Sequence, residues 1–570
     1  MHCQIESLRR CFPPSIRQIL DGLPRTLDET YERILLEIDK EKQVYANQSF
    51  QCLAMSIRPL RTEELAEIFA VPPNAESTPD FEVSWRPEDP EAFILSACST
   101  LVTIVKTKDR KIVQFSHFSV KEYLTSDRIV NSAPVSHFQV LPEPAHTLLA
   151  RACLGVLLQL DYSIDKTMIK GFPLTQYAAM HWVDHACFED VSSYIRDGMD
   201  RLFDKDKPHL AAWLWVYNRD NEFNMNHDGE DMVTDHPEPP DAVPLYYAAL
   251  CGLYDFVEHL LEVRPEDLNS EGGVWGTPLG AALRKGHLDI ARFLLEHGAD
   301  GEKRGSMGQT ALHIASIRGY AGIVRTLIDH GANPNAECDD WDEHINNVTW
   351  TPFHAALARG RLEVARVLLE YGTNVNHPGS DGDSPLHIAS GCDSDDVRVV
   401  RFLLDRGANP SALNDWNETA LHHASCSGGP VVVRLLLHHG LEVNARSRIG
   451  WHSSHSHSSR SRWRRMGSKG WIPLHYAVRF GGEEVVQLLL DHGADVNSPD
   501  RFHWTALHWA TFRGRLQVVK TLLGRGANPQ ARTIDGHTPF GVIKKRPSSQ
   551  TLPHDPQIMQ LLLEHTGESE

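Results

Sequence analysis

The chain has 570 residues, of which 56 are Lys or Arg and 75 are Asp or Glu, so its formal net charge is −19. This acidic balance argues against a general nucleic-acid or membrane-surface binder, and a hydrophobic content of 41% excludes global disorder. No apolar stretch is long enough to span a bilayer, and no two cysteines form a Cys-x-x-Cys pair. We therefore expect no membrane partner and a reducing compartment, the cytosol or alternatively the nucleus.

The first part of the chain predicts short helices and one hairpin. Residues 1–42 indicate a helical segment whose amphipathic helix starts near Thr26. In residues 43–132, Thr62 is placed to cap a helix that carries acids in its first turn. Two β-like runs, 101–105 and 111–115, then meet as a hairpin. Helices followed by a hairpin indicate a winged-helix-like domain.

Two phrases in this region resemble a known family. LPRTLDETYERIL, at 23–35, and FSHFSVKEYL, at 115–124, are similar to phrases that follow the NACHT nucleotide-binding domain of fungal STAND-type NTPases. The resemblance implies that residues 140–238 are a helical linker to a repeat domain. The sequence contains no Gly-x-x-x-x-Gly-Lys-Ser/Thr loop, whose amides and lysine bind nucleotide phosphates. We therefore expect the NACHT domain to be missing from this chain and ATP hydrolysis with it.

A six-residue phrase of the form Thr-Pro-Leu-His-x-Ala recurs through the second half. Strong copies begin at Thr277, Thr310, Thr351, Ser384, Thr419, Ile472 and Thr505, and weaker ones at Val243 and Thr538. A glycine follows each strong copy after 21 residues, or 23 in one case, and the next phrase follows that glycine after 12 residues in five of seven cases. The basic period is thus 33 residues, with two helical runs in the invariant part and the insertions between glycine and phrase.

Phrase, period and glycine resemble ankyrin repeats over residues 239–570, about nine in number. The fold class that follows is mostly α: an ankyrin-repeat α-solenoid preceded by the winged-helix-like module and the helical linker. Thr or Ser starts the first helix as a cap. The resemblance implies that the phrase histidine hydrogen-bonds backbone groups near the hairpin. Histidines that recur with the fold are not expected to be catalytic or metal-binding.

Two inserts interrupt the period. Residues 451–470, WHSSHSHSSRSRWRRMGSKG, carry five basic residues and no acid, and removing them restores the spacing of 33. A low-complexity loop, a retained intron and an anion-binding loop all remain open for this insert. The insert near 337–348 is acidic and indicates an extended hairpin finger.

One pair of histidines has a spacing that metal sites use. His181 and His185 are four residues apart on one predicted helix, a spacing that suits zinc, but no third ligand is evident and packing is favoured. No Gly-x-Ser-x-Gly, His-Glu-x-x-His or kinase signature occurs. The sequence therefore predicts no catalytic residue, no metal and no small-molecule cofactor.

The resemblance also implies where a partner protein binds. Ankyrin stacks bind through hairpin tips and the exposed face of the first helix, which line a concave surface. The expected slots lie four, three and one residues before each phrase, and seven and eight after its start. Aromatic and arginine side chains dominate binding hot spots. In these slots they give the predicted partner-binding residues Trp350, Trp416, Trp471, Arg479, Phe480, Phe502, Trp504, Phe512 and Arg513. The alternative is that the tryptophans pack on their own hairpins.

The predicted function is a non-enzymatic scaffold or adaptor that binds other proteins. One alternative is the regulatory and sensor part of a STAND-type NTPase whose NTPase domain is absent from this chain. Another is a winged-helix transcription-associated regulator, because the hairpin carries Lys106, Lys108, Arg110 and Lys111. The net charge of −19 argues against nucleic acid as the partner.

Overall fold

The described part of the chain is mostly helical, and its helices are short. The computed structural model describes residues 26–71, 83–107, 110–165, 167–217, 236–306, 308–338, 350–379, 382–391, 397–427, 429–448, 470–545 and 552–566. The chain divides into a first unit, Met1–Gly273, and a second unit, Val274–Glu570.

The first unit contains one hairpin among its helices. Its elements are α1 Leu27–Leu36, α2 Gln43–Met55, α3 Thr62–Ile68, α4 Pro90–Cys98, β1 Val102–Lys106, β2 Lys111–Phe115, α5 Phe118–Leu124, α6 Pro142–Leu157, α7 Thr175–Ala186, α8 Val191–Tyr194, α9 Arg196–Leu202, α10 His209–Val216, α11 Pro244–Cys251 and α12 Tyr254–Val263.

The predicted hairpin is present, with β1 and β2 antiparallel and Val102 opposite Phe115. A bridge between Arg61 and Ile112 adds a third, very short extended segment on the other side of β2. In this bridge the amide of Val113 donates to the carbonyl of Leu60 at 2.9 Å. The helix α3 starts directly after this segment, so the hairpin and α3 are tied together at the backbone.

One buried carboxylate organises the start of α3. The side chain of Glu64 is fully buried and accepts two hydrogen bonds from the guanidinium of Arg58, at 2.7 and 2.8 Å. It also accepts the amide of Arg61 at 2.8 Å. Burial by itself raises the pKa of Glu64, but these hydrogen bonds outweigh it and the pKa is lowered overall.

His181 and His185 both lie on α7, and the structure gives His185 a packing role. His185 is buried, and its Nε2 lies 2.9 Å from the hydroxyl of Tyr177 while its Nδ1 lies 2.8 Å from Nδ1 of His146. His181 instead contacts Asp184 at 3.1 Å. Across the described ranges, no group of three or more His, Cys, Asp or Glu side chains is placed to hold a metal ion.

The second unit repeats a pair of antiparallel helices. Its helices are α13 Pro278–Lys285, α14 Leu288–Glu296, α15 Ala311–Arg318, α16 Ala321–Asp329, α17 Pro352–Ala358, α18 Leu362–Glu370, α19 Pro385–Ser390, α20 Val397–Asp405, α21 Ala420–Ser427, α22 Pro430–His438, α23 Pro473–Arg479, α24 Glu483–Asp491, α25 Ala506–Phe512, α26 Leu516–Gly524, α27 Pro539–Lys544 and α28 Asp555–Thr566. The first helix of each pair packs against the first helix of the next, so these helices form one continuous row.

The local signals of the repeat act as the sequence predicts. Thr277 and Ser384 accept hydrogen bonds from the amides three residues on, at 3.2 and 3.4 Å, which caps α13 and α19. The seven glycines that follow the second helical runs all have φ between 78° and 94°. Only a residue without a Cβ adopts this conformation without strain, so glycine ends each repeat.

The phrase histidines connect neighbouring repeats. In His354 the ring Nδ1 accepts the amide of Thr351 at 3.3 Å, and Nε2 donates to the carbonyl of His377, in the following hairpin, at 2.8 Å. His313 makes the same contact with the carbonyl of Trp350 at 3.0 Å. The expected bonds to backbone groups near the hairpin are therefore confirmed. Burial lowers the pKa of His354 to about 4, so the ring is neutral.

Both inserts lie mostly outside the described residues. Cys338 and Trp350, which flank the first insert, exchange two backbone hydrogen bonds of 2.9 Å. Around the second insert, α21 packs directly against α23. The repeats before and after residues 451–470 are therefore neighbours in the row, which agrees with the spacing that remains when those residues are removed.

Candidate functional site

Several of the predicted slot residues contact one another through their rings on α23, α25 and the loops before these helices. The members of this cluster, which we call the aromatic patch, are Trp471, Arg479, Phe480, Trp504, Trp509 and Phe512. Each side chain comes from one of two neighbouring repeats, and the direct packing of α23 on α25 brings them together.

The rings of the patch form a connected chain. The centroid of Trp509 lies 5.0 Å from that of Trp471 and 4.6 Å from that of Trp504. Phe512 continues the chain with an edge-on contact to Trp504 at 5.7 Å. Aromatic pairs at these separations stabilise by about 0.5–1.5 kcal/mol each beyond their buried area. We infer that these ring contacts hold the patch rigidly, and the side chains of Trp504 and Phe512 in it are half-buried.

Arg479 lies inside the patch. Its guanidinium carbon is 4.5 Å from the ring centre of Trp509, 5.1 Å from that of Phe480 and 5.4 Å from that of Trp471. The side chain is buried, and burial lowers the pKa of Arg479 to about 10, with the charge of Arg513 acting in the same direction. The arginine remains a cation at neutral pH, stacked between rings that attract positive charge.

Asp500 fixes the side chains of Trp471 and Trp509 through hydrogen bonds. Its Oδ2 accepts the indole N–H of Trp471 at 3.1 Å and that of Trp509 at 3.3 Å. Its Oδ1 accepts the amides of Phe502 and Trp504, both at 2.8 Å. Burial raises the pKa of Asp500, although the four hydrogen bonds counteract that effect. One carboxylate thus fixes the hairpin and both indoles.

Three of the nine predicted partner-binding residues are buried, so the expectation that their slots are exposed is wrong. Trp350 is 6% exposed, Trp471 1% and Arg479 7%. Trp471 lies against the neighbouring repeat, because its indole N–H donates to Asp500 of that repeat. Trp350 and Trp471 are therefore packed inside the protein, and Trp471 packs against the next repeat rather than on its own hairpin.

The other predicted residues remain accessible to different degrees. Phe502, at the hairpin tip, is 45% exposed, and Arg513 is exposed. Phe480, Trp504 and Phe512 are half-buried in the patch. Trp416, also half-buried, belongs to the hairpin before α21, and its amide donates to Oδ1 of Asn414 at 3.0 Å.

Trp509, Tyr476 and Asp500 lie outside the slots that the repeat spacing predicts for partner binding. Trp509 and Tyr476 occupy the variable fifth position of the phrase, where the other strong copies carry Ile, Ala or His. An aromatic residue at that position was the available signal. Asp500 offered no such signal, because its role depends on two indoles that only the packed repeats bring to it.

An acidic cluster formed by Asp383 and Glu418 lies beside the patch, and its carboxylates contact other side chains of the protein. Asn414 donates from Nδ2 to Asp383 at 2.7 Å and to Glu418 at 3.3 Å. Nε2 of His423 lies 3.3 Å from Glu418 and 3.6 Å from Asp383. Tyr476 also donates its hydroxyl to Glu418. The cluster therefore joins the hairpins of neighbouring repeats.

The hairpin of the first unit carries less free positive charge than its sequence suggests. Lys111 and Lys106 lie 2.6 and 3.5 Å from the carboxylate of Glu91. Arg110 is exposed, and Lys108 lies outside the described residues. Two of the four basic side chains are thus paired within the unit.

The second unit is a row of stacked helix pairs with capped starts, terminal glycines and an aromatic surface on the first helices. These features define a helical-repeat protein, a class that binds through one face. Comparison with known families agrees with this class. The family model described as ankyrin repeats (3 copies) matches residues 245–338, 339–414, 373–447 and 454–533. The chain is an ankyrin-repeat protein. Such repeats generally mediate protein–protein interaction.

Similar proteins come from diverse sources. The chain is 32% identical over 298 residues to the azaphilone pigments biosynthesis cluster protein L of Monascus ruber, which covers 49% of this chain and 61% of that protein. It is 33% identical over 139 residues to the B-cell lymphoma 3 protein of Homo sapiens, covering 21% of this chain and 31% of that one. The chain therefore spans less than two thirds of these relatives. In the described part of the chain, no helix has the length and apolar composition needed to cross a bilayer.

Proposed function

We propose that this protein is a non-enzymatic scaffold or adaptor, in the cytosol or the nucleus, that captures a protein partner on the first-helix face of its repeats. The observation that carries the proposal is the aromatic patch together with the exposed Phe502 at the adjacent hairpin tip. Large rings held rigidly at a surface lose little conformational entropy on binding, which is why they are common at interface hot spots.

The charges around the patch support the same proposal. Arg513 is exposed directly beyond the half-buried Phe512. A surface that combines an apolar centre with a charged rim is typical of protein interfaces. The acidic cluster next to it is engaged in contacts within the protein.

The test replaces Phe512 of the aromatic patch and the adjacent hairpin-tip residue in the full chain, as the double variant Phe502→Ala with Phe512→Ala. Wild-type and variant proteins are immobilised, incubated with extract of the source cells, and the captured proteins are quantified by mass spectrometry. We expect specific partners to drop at least tenfold on the variant, since hot-spot rings contribute about 2 kcal/mol or more each.

Folding is measured alongside. Tyr371→Ala, an exposed aromatic at the end of α18, is the matched control and should retain all partners. Loss of capture with an unchanged melting temperature supports the proposal. Capture that survives the double variant, or that is lost together with the fold, contradicts it.

We further propose that residues 43–132 form a winged-helix-like module. The bridge between Arg61 and Ile112 supports this, because it adds a third strand segment to the hairpin after the helices. If the module were a transcription-associated regulator, the full chain would bind duplex DNA with a steep salt dependence that Arg110→Ala reduces. The pairing of Lys106 and Lys111 with Glu91 favours a packing role instead.

The remaining alternative is a regulatory and sensor part of a STAND-type NTPase. The phrases at 23–35 and 115–124 support it. Sequencing the transcript upstream of this reading frame tests it, because a Gly-x-x-x-x-Gly-Lys-Ser/Thr loop encoded there would make the scaffold part of an NTPase.

A further inference from the structure

The aromatic patch already contains a cation of its own. Three rings, those of Trp471, Phe480 and Trp509, lie within 5.4 Å of the guanidinium carbon of Arg479. Open aromatic pockets attract lysine and arginine side chains of a partner. Here the space between the rings is filled, and a second cation brought to the patch would be repelled by the first.

Two further arginines approach the same place. Arg513 follows α25, and its amide donates to the carbonyl of Trp509 at 3.0 Å, so it lies one helical turn beyond that ring. Arg515 donates to the carbonyls of Ala477 and Val478, at 3.0 and 2.7 Å, which ties its guanidinium to the end of α23. The end of α23 and the end of α25 therefore bring three guanidinium groups into one region.

The three groups differ in how their charge is balanced. Arg515 is influenced by the carboxylate of Glu483 and donates to two carbonyls. Arg479 is buried against the rings. Arg513 is exposed. The charge of Arg513 also disfavours the charged forms of both neighbours, which is the direction expected for crowded cations.

We propose that the partner segment is a peptide with an acidic side chain that pairs with Arg513, next to an apolar side chain that lies on Trp504 and Phe512. This inference rests on the proposed function, because it names the chemistry of a partner for the same face. A carboxylate at Arg513 forms charge-assisted hydrogen bonds and reduces the mutual repulsion of the arginines. The neighbouring rings exclude water from one side of the pair, which strengthens it.

Electrostatics favour an acidic peptide over a nucleic acid, although both are anions. The whole chain carries a formal charge of −19, so a polyanion is repelled except at this local region. A single carboxylate beside an apolar group needs only the local positive charge. A peptide with lysine or arginine at the same position would meet three cations and is selected against.

The experiment selects peptides from a random display library of about 12 residues on the immobilised full chain. We expect enriched sequences to place Asp or Glu beside Leu, Phe or Trp. The same selection on Arg513→Glu should remove the acidic preference and enrich Lys or Arg at that position, while Arg513→Lys should retain it. The consensus peptide should bind Arg513→Glu about tenfold more weakly than the wild type.

Controls separate this inference from the proposed function. Arg292→Glu, an exposed charge reversal on α14, should leave selection and affinity unchanged. If Phe512→Ala abolishes peptide binding but Arg513→Glu selects the same sequences as the wild type, the face binds partners and the acidic preference is wrong. If Phe512→Ala has no effect, both proposals fail. Enrichment of no peptide, or tighter binding of a single-stranded oligonucleotide than of the consensus peptide, also overturns the inference.

Discussion

The neutral histidines of the repeat phrase make the stability of the second unit dependent on pH. His354 represents them: its Nδ1 accepts the amide of Thr351 and its Nε2 donates to the carbonyl of His377. A proton on Nδ1 would face that amide N–H and break the hydrogen bond. The folded state therefore excludes the proton, and burial lowers the pKa of His354 from 6.5 to about 4.

The direction and size of the pH effect on the free energy of unfolding follow from proton linkage. Because the pKa of His354 is lower in the folded chain than in the unfolded chain, the unfolded chain binds the proton more tightly below pH 6.5. The free energy of unfolding therefore falls as the pH drops from 6.5 towards 4. At pH 5 the loss is about 2 kcal/mol for this one residue, and at pH 7.5 it is about zero.

The test compares the wild type with His354→Gln in urea denaturation followed by circular dichroism. At pH 7.5 the variant should be about 2 kcal/mol less stable, because the two hydrogen bonds across the hairpin are lost. At pH 5 the two proteins should be almost equally stable, because glutamine takes up no proton. His438→Gln, at an exposed position of α22, is the control and should follow the wild type at both values.

A single outcome would refute the reasoning. If the cost of His354→Gln stays the same at pH 7.5 and pH 5, within about 0.5 kcal/mol, the histidine is not held neutral by burial and the linkage argument fails.

Three further predictions concern other contacts. Asp500→Ala should lower the stability of the repeats that carry the aromatic patch by about 3 kcal/mol, because it leaves two indole and two amide N–H groups without their acceptor. A shift of the tryptophan emission spectrum at low urea should report the loosened rings, and an unchanged spectrum would count against this role of Asp500. Glu64→Gln should cost about 3 kcal/mol in the thermal unfolding of the first unit, since it leaves the paired Arg58 without its carboxylate, and the cost should shrink at a pH below the ordinary pKa of a glutamate. Gly298→Ala should destabilise the second unit by about 1 kcal/mol through its φ of 91° alone, as no atom lies within 4 Å of the added Cβ. Gly322→Ala inside α16 should instead stabilise the second unit by about 0.5–1 kcal/mol. Equal effects of the two substitutions in urea denaturation would contradict the conformational argument.

The sequence by itself determined the repeat, because its signals act within a few residues of one another. A threonine or serine cap, a proline in the first turn and a glycine with positive φ each depend on local backbone geometry. The hairpin of the first unit belongs to the same class, since its two strands are adjacent in the chain. These features follow from spacing alone.

Only the tertiary structure decided which slot residues are accessible. Counting from the phrase treats each repeat as identical, but Trp471 and Arg479 are buried because Trp509 and Asp500 of the next repeat cover or bind them. Trp350 is buried as well, and its backbone pairs with that of Cys338 across the first insert. A repeat protein buries its apolar faces between successive repeats, so the exposure of one position is set by the side chains of the neighbouring repeat. The spacing within a single repeat does not contain that information.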